Sequence, residues 1–293
     1  MLLLALLLIN FIGSGQINFK QAGKQSFLFQ GAADHAHPPL KVWYYSPSAR
    51  PDTLPMVIML HGAERNPSAY LDQWIPTANL YQYVVVAPEF SKQDYKGSER
   101  YNLGNVYRDK TKQLNPVEDW SFSVIEPLYD FVKEKTGNWF PGYYLSGHSA
   151  GSQFVHRFLY FVPNNRAMRV MAANAGWYTL PDFTTQYPFG LKNTPVKSEN
   201  IQKMFAKEIY IVLGEADTDT TGANFNNGLP YSLQGATRFE RGNHYFNLCA
   251  KTAQQMNTAF NWKLITVPGV AHSNEQMAKM AGALFKMNIK NNQ

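Results

Sequence analysis

Short apolar runs alternate along this chain with stretches of helical periodicity, and that alternation restricts the fold more than any other feature. Residues 40–45, 55–60, 83–87, 143–146, 169–173, 209–213 and 263–267 are brief and almost continuously apolar, the pattern of strands buried on both faces. Between them, 120–135 places Phe122, Ile125, Leu128, Tyr129 and Val132 at helical spacing. Phe154, Phe158 and Phe161 do the same in 150–161, and Met277, Met280, Ala281 and Leu284 in 274–287. Strands that alternate with helices pair in parallel through crossovers, so the chain is expected to be α/β, with a mainly parallel central sheet and helices on both faces. No internal repeat and no Pro/Gly/Ser-rich linker divides it, and residues 16–293 read as a single domain. The stretches 91–119 and 176–200 are too long for simple connections and are candidates for pocket walls.

Composition narrows the function. The 293 residues are 45% hydrophobic and 14% aromatic, with 16% charged and no charge run, which suits a folded globular chain and excludes a disordered one. The net charge of +6 is scattered, loosest around Lys192, Lys197, Lys203 and Lys207. Without a compact basic stripe interleaved with aromatics, no nucleic-acid partner is expected. Residues 1–15, MLLLALLLINFIGSG, are too short to span a bilayer, which takes about 20 apolar residues. They match the apolar region of a signal peptide, with Gly13 and Gly15 before a cut near Gln16, although only the α-amino group supplies positive charge. That reading makes the protein secreted or periplasmic; the alternative is a buried N-terminal strand or helix. Cys249 is the only cysteine, so an intrachain disulfide and a Cys-rich zinc site are both excluded. It falls in a helix-like run, 245–260, where packing is its expected role.

The chemistry centres on Gly147-His148-Ser149-Ala150-Gly151, which joins the strand-like Tyr143-Tyr144-Leu145 to a helix-like run from Gln153. The pattern G-x-S-x-G alone is weak, and its context gives it weight. A sharp turn from strand to helix lifts the serine above the sheet edge, and small residues on either side let the turn close. The N–H of Ala150 then lies at a helix N-terminus, where an oxyanion would form.

A serine nucleophile needs a base, an acid that orients the base, and two oxyanion donors. The second donor is expected from the loop after 55–60, His61-Gly62-Ala63-Glu64-Arg65, with Ala63 offering its N–H and His61 in a structural role. The acid is expected after 209–213, in Gly214-Glu215-Ala216-Asp217-Thr218-Asp219. Asp217 is the first candidate, Asp219 the rival and Glu215 the third, and a turn cap is the ordinary role for the loser. The base is expected after 263–267, where His272 precedes the last helix. His35 and His37 lie in the polar lead-in, His148 would point away from the serine, His156 is on the following helix, and His244 has no strand before it. The resulting chain order is Ser149, Asp217, His272.

The blocks HGAERN, GHSAGS, LGEADTD and PGVAHS, in that order within 41–286, resemble the α/β-hydrolase superfamily. Within it they look like secreted esterases of the poly(3-hydroxybutyrate) depolymerase and feruloyl-esterase-like group. The resemblance implies the α/β-hydrolase fold and cleavage of a small-molecule or oligomeric carboxylic ester through an acyl-enzyme. It implies Ser149 as nucleophile, His272 as base, Asp217 as acid, and Ala63 and Ala150 as oxyanion donors, with no metal and no organic cofactor. Trp177, Tyr178, Phe183 and Phe189, with Phe90, are candidates to line an apolar or sugar-stacking pocket; the alternative is that they pack the loops onto the core. Two other readings are a serine peptidase of the same fold and a non-catalytic binding protein that kept it. Activity on simple esters, on amides, or on neither separates the three.

Overall fold

The computed structural model describes residues 17–31, 37–108, 113–222 and 225–286. The expected signal segment, 1–15, and His35 lie outside the described residues. In chain order the strands are β1 (Gly23–Phe29), β2 (Leu40–Ser46), β3 (Met56–Leu60), β4 (Val84–Pro88), β5 (Tyr107–Arg108), β6 (Gln113–Leu114), β7 (Tyr143–His148), β8 (Ala167–Ala173), β9 (Glu208–Gly214) and β10 (Trp262–Val267). The helices are α1 (Pro67–Tyr81), α2 (Ile125–Thr136), α3 (Ala150–Phe161), α4 (Ser198–Phe205), α5 (Arg238–Gln255) and α6 (Asn274–Lys286).

Eight strands form one sheet in the order β1-β2-β4-β3-β7-β8-β9-β10. Pairing is antiparallel from β1 through β2 to β4 and parallel from there to β10. The two-residue alternation of a strand explains the two cores. Val57 and Met59 face α1 and α6, where they meet Leu71, Trp74, Met277 and Phe285. Met56, Ile58 and Leu60 face the opposite layer of α2, α3 and α5, with Leu128, Phe154, Phe158 and Cys249. Each large side chain so buried stabilises the fold by about 1.5–3 kcal/mol relative to exposure.

Several elements depart from the sequence reading, among them α4, β5 and β6, which fall in or beside the expected long loops. Strand β1 falls in what reads as a polar lead-in, because an antiparallel edge strand shows only one apolar face. Helix α1 was not expected, because Pro76 falls in its interior; the helix runs on through it, and Pro67 sits in the first turn, where a missing N–H costs little. The helix expected over 120–135 opens as a 3-10 turn, Ser121–Val124, before α2 begins. Helix α5 starts well before 245, so His244 lies inside it rather than ahead of it.

Candidate active site

Strand β7 ends at His148, and the chain turns directly into α3 through Ser149, whose backbone is at φ 59° and ψ −119°. That is a costly conformation for an L-residue, and it is held from both sides. The Ser149 N–H donates to the Ala173 carbonyl of β8 (3.0 Å), and the Ser149 carbonyl accepts from Gln153 (3.1 Å). The flanking glycines leave no alternative. A Cβ on Gly147 would lie 2.3 Å from the Gly151 carbonyl oxygen, and one on Gly151 would lie 2.1 Å from that of Leu60. Although Ser149 occupies the N-cap position of α3, its side chain makes no capping bond, and among the described residues its hydroxyl has no hydrogen-bond partner.

The loop after β3 is anchored through its histidine. His61 is fully buried; its Nδ1 contacts the Gly62 carbonyl (3.0 Å) and its Nε2 accepts from the Phe90 N–H (3.1 Å). Burial holds this ring down to about pKa 3, so it stays neutral in that bonding pattern. Tyr101 donates to the His61 carbonyl (2.6 Å) and stacks on the ring. Arg65 donates to the carbonyls of Phe90 (2.6 Å) and Gly97 (2.7 Å). The loop passes next to Ser149: a Cβ on Gly62 would lie 3.8 Å from the Ser149 Cβ. Among the described residues, neither the Ala63 nor the Ala150 N–H donates a hydrogen bond.

Asp217 and His272 are brought together. Asp217 Oδ2 lies 2.6 Å from His272 Nδ1, with the carboxylate side chain 1% exposed and the imidazole 32% exposed. Asp219 does not reach the histidine. Its carboxylate accepts from the Thr221 N–H (2.8 Å) and hydroxyl (2.7 Å), which caps a turn, and Glu215 accepts from Thr266 (2.7 Å). The loops that carry Asp217 and His272 are bonded to each other: the N–H of Ala216 donates to the Val270 carbonyl (2.9 Å) and that of Glu215 to Val267 (3.1 Å). Buried Asn174, just after β8, joins both, accepting from the Gly214 N–H (2.9 Å) and donating to the Ala271 carbonyl (3.3 Å).

Several partners were missed from sequence. His148 does not point away from the site: its ring lies 4.5 Å from that of His272, and Tyr70 of α1 contacts its Nδ1 (3.2 Å). Burial, then the neighbouring His272 and Arg238, hold His148 well below the usual histidine range. Arg238, on α5, places a guanidinium nitrogen 3.3 Å from Asp217 Oδ1. The first turn of α5 carries arginines where acidic residues are preferred, but nothing local in the sequence points from Arg238 to Asp217.

Of the expected pocket residues, Trp177 lines a cavity of about 970 Å³ together with Phe189, Tyr107, Tyr187 and Tyr231. The cavity lies between the long loops 91–119 and 176–200, with Glu99 and Lys192 as its charged groups. Ser149 and His272 are not in its wall. Phe90 and Tyr178 do not line it. Phe90 is fully buried against Tyr95, Tyr101 and Phe154, and Tyr178 stacks on Tyr245 inside the core. Each belongs to a loop whose apolar side chains fold inward to cover α3. Phe183 is partly exposed, outside the cavity wall.

A mainly parallel sheet whose central strand turns through a strained serine into a helix defines the class: an α/β-hydrolase fold with a serine at its nucleophile position. No protein-family profile and no curated protein sequence matches the chain. Among solved structures, it is 41% identical to poly(aspartic acid) hydrolase-1 from Sphingomonas sp. KT-1, over 90% of this chain and 98% of that one, with a TM-score of 0.86. It is 30% identical to a poly(3-hydroxybutyrate) depolymerase from Bordetella parapertussis, over 92% and 90% of the two chains, again with a TM-score of 0.86. An S-formylglutathione hydrolase from Agrobacterium tumefaciens, 14% identical with a TM-score of 0.57 over 92% and 95%, shares the fold. The chain belongs to the α/β-hydrolase family of serine hydrolases and is an enzyme of the serine-esterase class. Among the described residues, no helix is long and apolar enough to cross a membrane.

Proposed function

We propose that the protein hydrolyses carboxylic esters through Ser149, His272 and Asp217, by way of an acyl-enzyme. The observation that carries this reading is the 2.6 Å contact of buried Asp217 with His272 Nδ1, beside a serine held at a strained turn. Asp217 fixes the tautomer in which Nδ1 carries the proton, which leaves Nε2 free as the base. Nε2 takes the Ser149 proton as Oγ attacks the ester carbonyl carbon. The carbonyl π electrons move to oxygen, and the N–H groups of Ala63 and Ala150 stabilise that oxyanion. As the tetrahedral intermediate collapses, His272 returns the proton to the departing alkoxide. Water then attacks the acyl-serine in the same way and releases the acid, restoring Ser149.

The cavity beside Trp177 takes the larger part of the substrate in this account, and its aromatic wall suits an apolar or oligomeric chain. A second reading is favoured by the 41% identical hydrolase, which acts on poly(aspartic acid). That polymer is joined by amides and carries a carboxylate on every unit, and the positive net charge of this chain suits such a polyanion. We also assign residues 1–15 as a signal peptide and 16–293 as one catalytic domain, which places the enzyme outside the cytoplasm. A p-nitrophenyl ester chain-length series with the wild type and Ser149→Ala tests the reaction. A poly(aspartic acid) digest with the same proteins tests the second reading.

A further inference from the structure

The first turn of an α-helix favours acidic side chains, because its free N–H groups carry positive charge. Helix α5 is capped in keeping with that rule by Thr237, whose hydroxyl accepts from the Glu240 N–H (3.2 Å), and by Glu240, which accepts from the Ala236 N–H (2.6 Å). Yet the same turn carries Arg238 and Arg241, 7% and 1% exposed. Two buried guanidinium groups at the wrong helix end add nothing to capping and must be compensated elsewhere. Arg241 is compensated by backbone carbonyls of Gly235, Gly176 and Asn226 (2.8–3.0 Å). Arg238 instead reaches Asp217 Oδ1 (3.3 Å) and the Asp219 carbonyl (3.2 Å), with its guanidinium 4.9 Å from the centre of the Phe225 ring.

We propose that Arg238 is a positioning residue for the reaction: it holds Asp217 by Oδ1 so that Oδ2 faces His272. The inference rests on the Ser149–His272–Asp217 reading above. Asp217 is the one carboxylate bonded to the imidazole among the described residues, and Arg238 holds that carboxylate from behind. His148 packs on the ring from the β7–α3 turn, with Tyr70 of α1 behind it. Asp219 turns its carboxylate to Thr221 and offers Arg238 only its carbonyl. Removing Arg238 therefore frees Asp217 to turn away from His272 Nδ1.

The test is the separate measurement of kcat and KM on p-nitrophenyl butyrate, with Tm, for the full chain, with Arg238→Gln and Arg238→Lys, and with Ser149→Ala alongside. Arg238→Gln should lower kcat about tenfold to a hundredfold at nearly unchanged KM. Arg238→Lys keeps the charge, but its ammonium ends one bond short of the guanidinium nitrogen that contacts both oxygens. Its kcat should fall only several-fold, a partial rescue relative to Arg238→Gln. A folded Arg238→Gln protein with wild-type kcat overturns the proposal, as does a loss of rate that raises KM equally or follows a lowered Tm with no rescue by Arg238→Lys. If Arg238→Gln does not fold, Arg238→Lys decides, and wild-type kcat in that variant overturns it. Retained activity in Ser149→Ala would instead overturn the underlying catalytic reading, whatever the arginine variants do.

Discussion

Ser149 sits at positive φ because its neighbours permit nothing else. Gly147 and Gly151 touch each other across the turn, and Gly151 also abuts the backbone of Leu60 and His61. The strain of the serine, about 1–3 kcal/mol for such a conformation, is borne by the packing around it. Gly151→Ala should therefore displace the turn rather than be absorbed, since the atoms it meets are backbone. We expect a loss of about 1–3 kcal/mol of stability and near-complete loss of esterase activity, read from thermal melts and p-nitrophenyl ester turnover. Asn174 acts at the same scale. It is the side chain that bonds both the loop of Asp217 and the loop of His272, at Gly214 and Ala271. Asn174→Ala leaves a buried N–H and a carbonyl without that partner, worth about 1–3 kcal/mol for such a group. Its kcat should fall about tenfold with KM little changed; a kcat within twofold of wild type would show that the two loops align without it.

At the scale of elements, α3 is the unusual one, because every residue from Ala150 to Phe161 is buried. The sequence shows one aromatic face, Phe154, Phe158 and Phe161, and that face does pack on its own layer. Trp120 and Phe122 pack on Phe161 of that face, and Arg157 ties the helix to the long loops, donating to Thr179 (2.8 Å) and the Asn102 carbonyl (3.1 Å). The same loops supply the aromatic cavity. Trp177→Ala should raise KM for medium-chain p-nitrophenyl esters several-fold and leave kcat on the acetate nearly unchanged. Equal effects on all chain lengths would place the acyl group elsewhere. Strands and helices with a strong period were legible in the sequence, and so was the loop position of Asp217 and His272, because each follows an apolar run. Whether Phe90 and Tyr178 line a pocket or pack the core was open in the sequence, because an aromatic in a loop looks the same whether it faces inward or outward; both are buried. Arg238, Asn174 and Tyr70 were not legible, because their partners are far away in sequence and no local pattern marks the contact.

Across the whole molecule, the parallel strands β3, β7, β8, β9 and β10 all point their C-terminal ends at one edge, and the loops bearing Ala63, Ser149, Asn174, Asp217 and His272 collect there. The opposite property, burial without access, governs Cys249, which is 0% exposed and whose thiol burial pushes up. It should resist thiol reagents in the native protein and react only at the rate of unfolding. Acid should destabilise the fold through its buried histidines. His61 falls from 6.5 to about 3, and His148 and His156 are also lowered by burial. The unfolded chain thus takes up protons below about pH 6.5 that the native state refuses. Stability, measured as Tm, should drop steadily from about pH 6.5 toward pH 3; a flat Tm over that range would contradict the neutral, buried state of these rings. The central claim is that one serine, lifted above this edge, attacks the ester. Its most direct measurement is p-nitrophenyl butyrate hydrolysis by wild type and folded Ser149→Ala, with mass spectrometry of the acyl adduct after rapid acid quench. The account predicts a loss of at least about a thousandfold and an adduct on the peptide containing Ser149. Turnover by Ser149→Ala within tenfold of wild type, or an adduct on another residue, would contradict it.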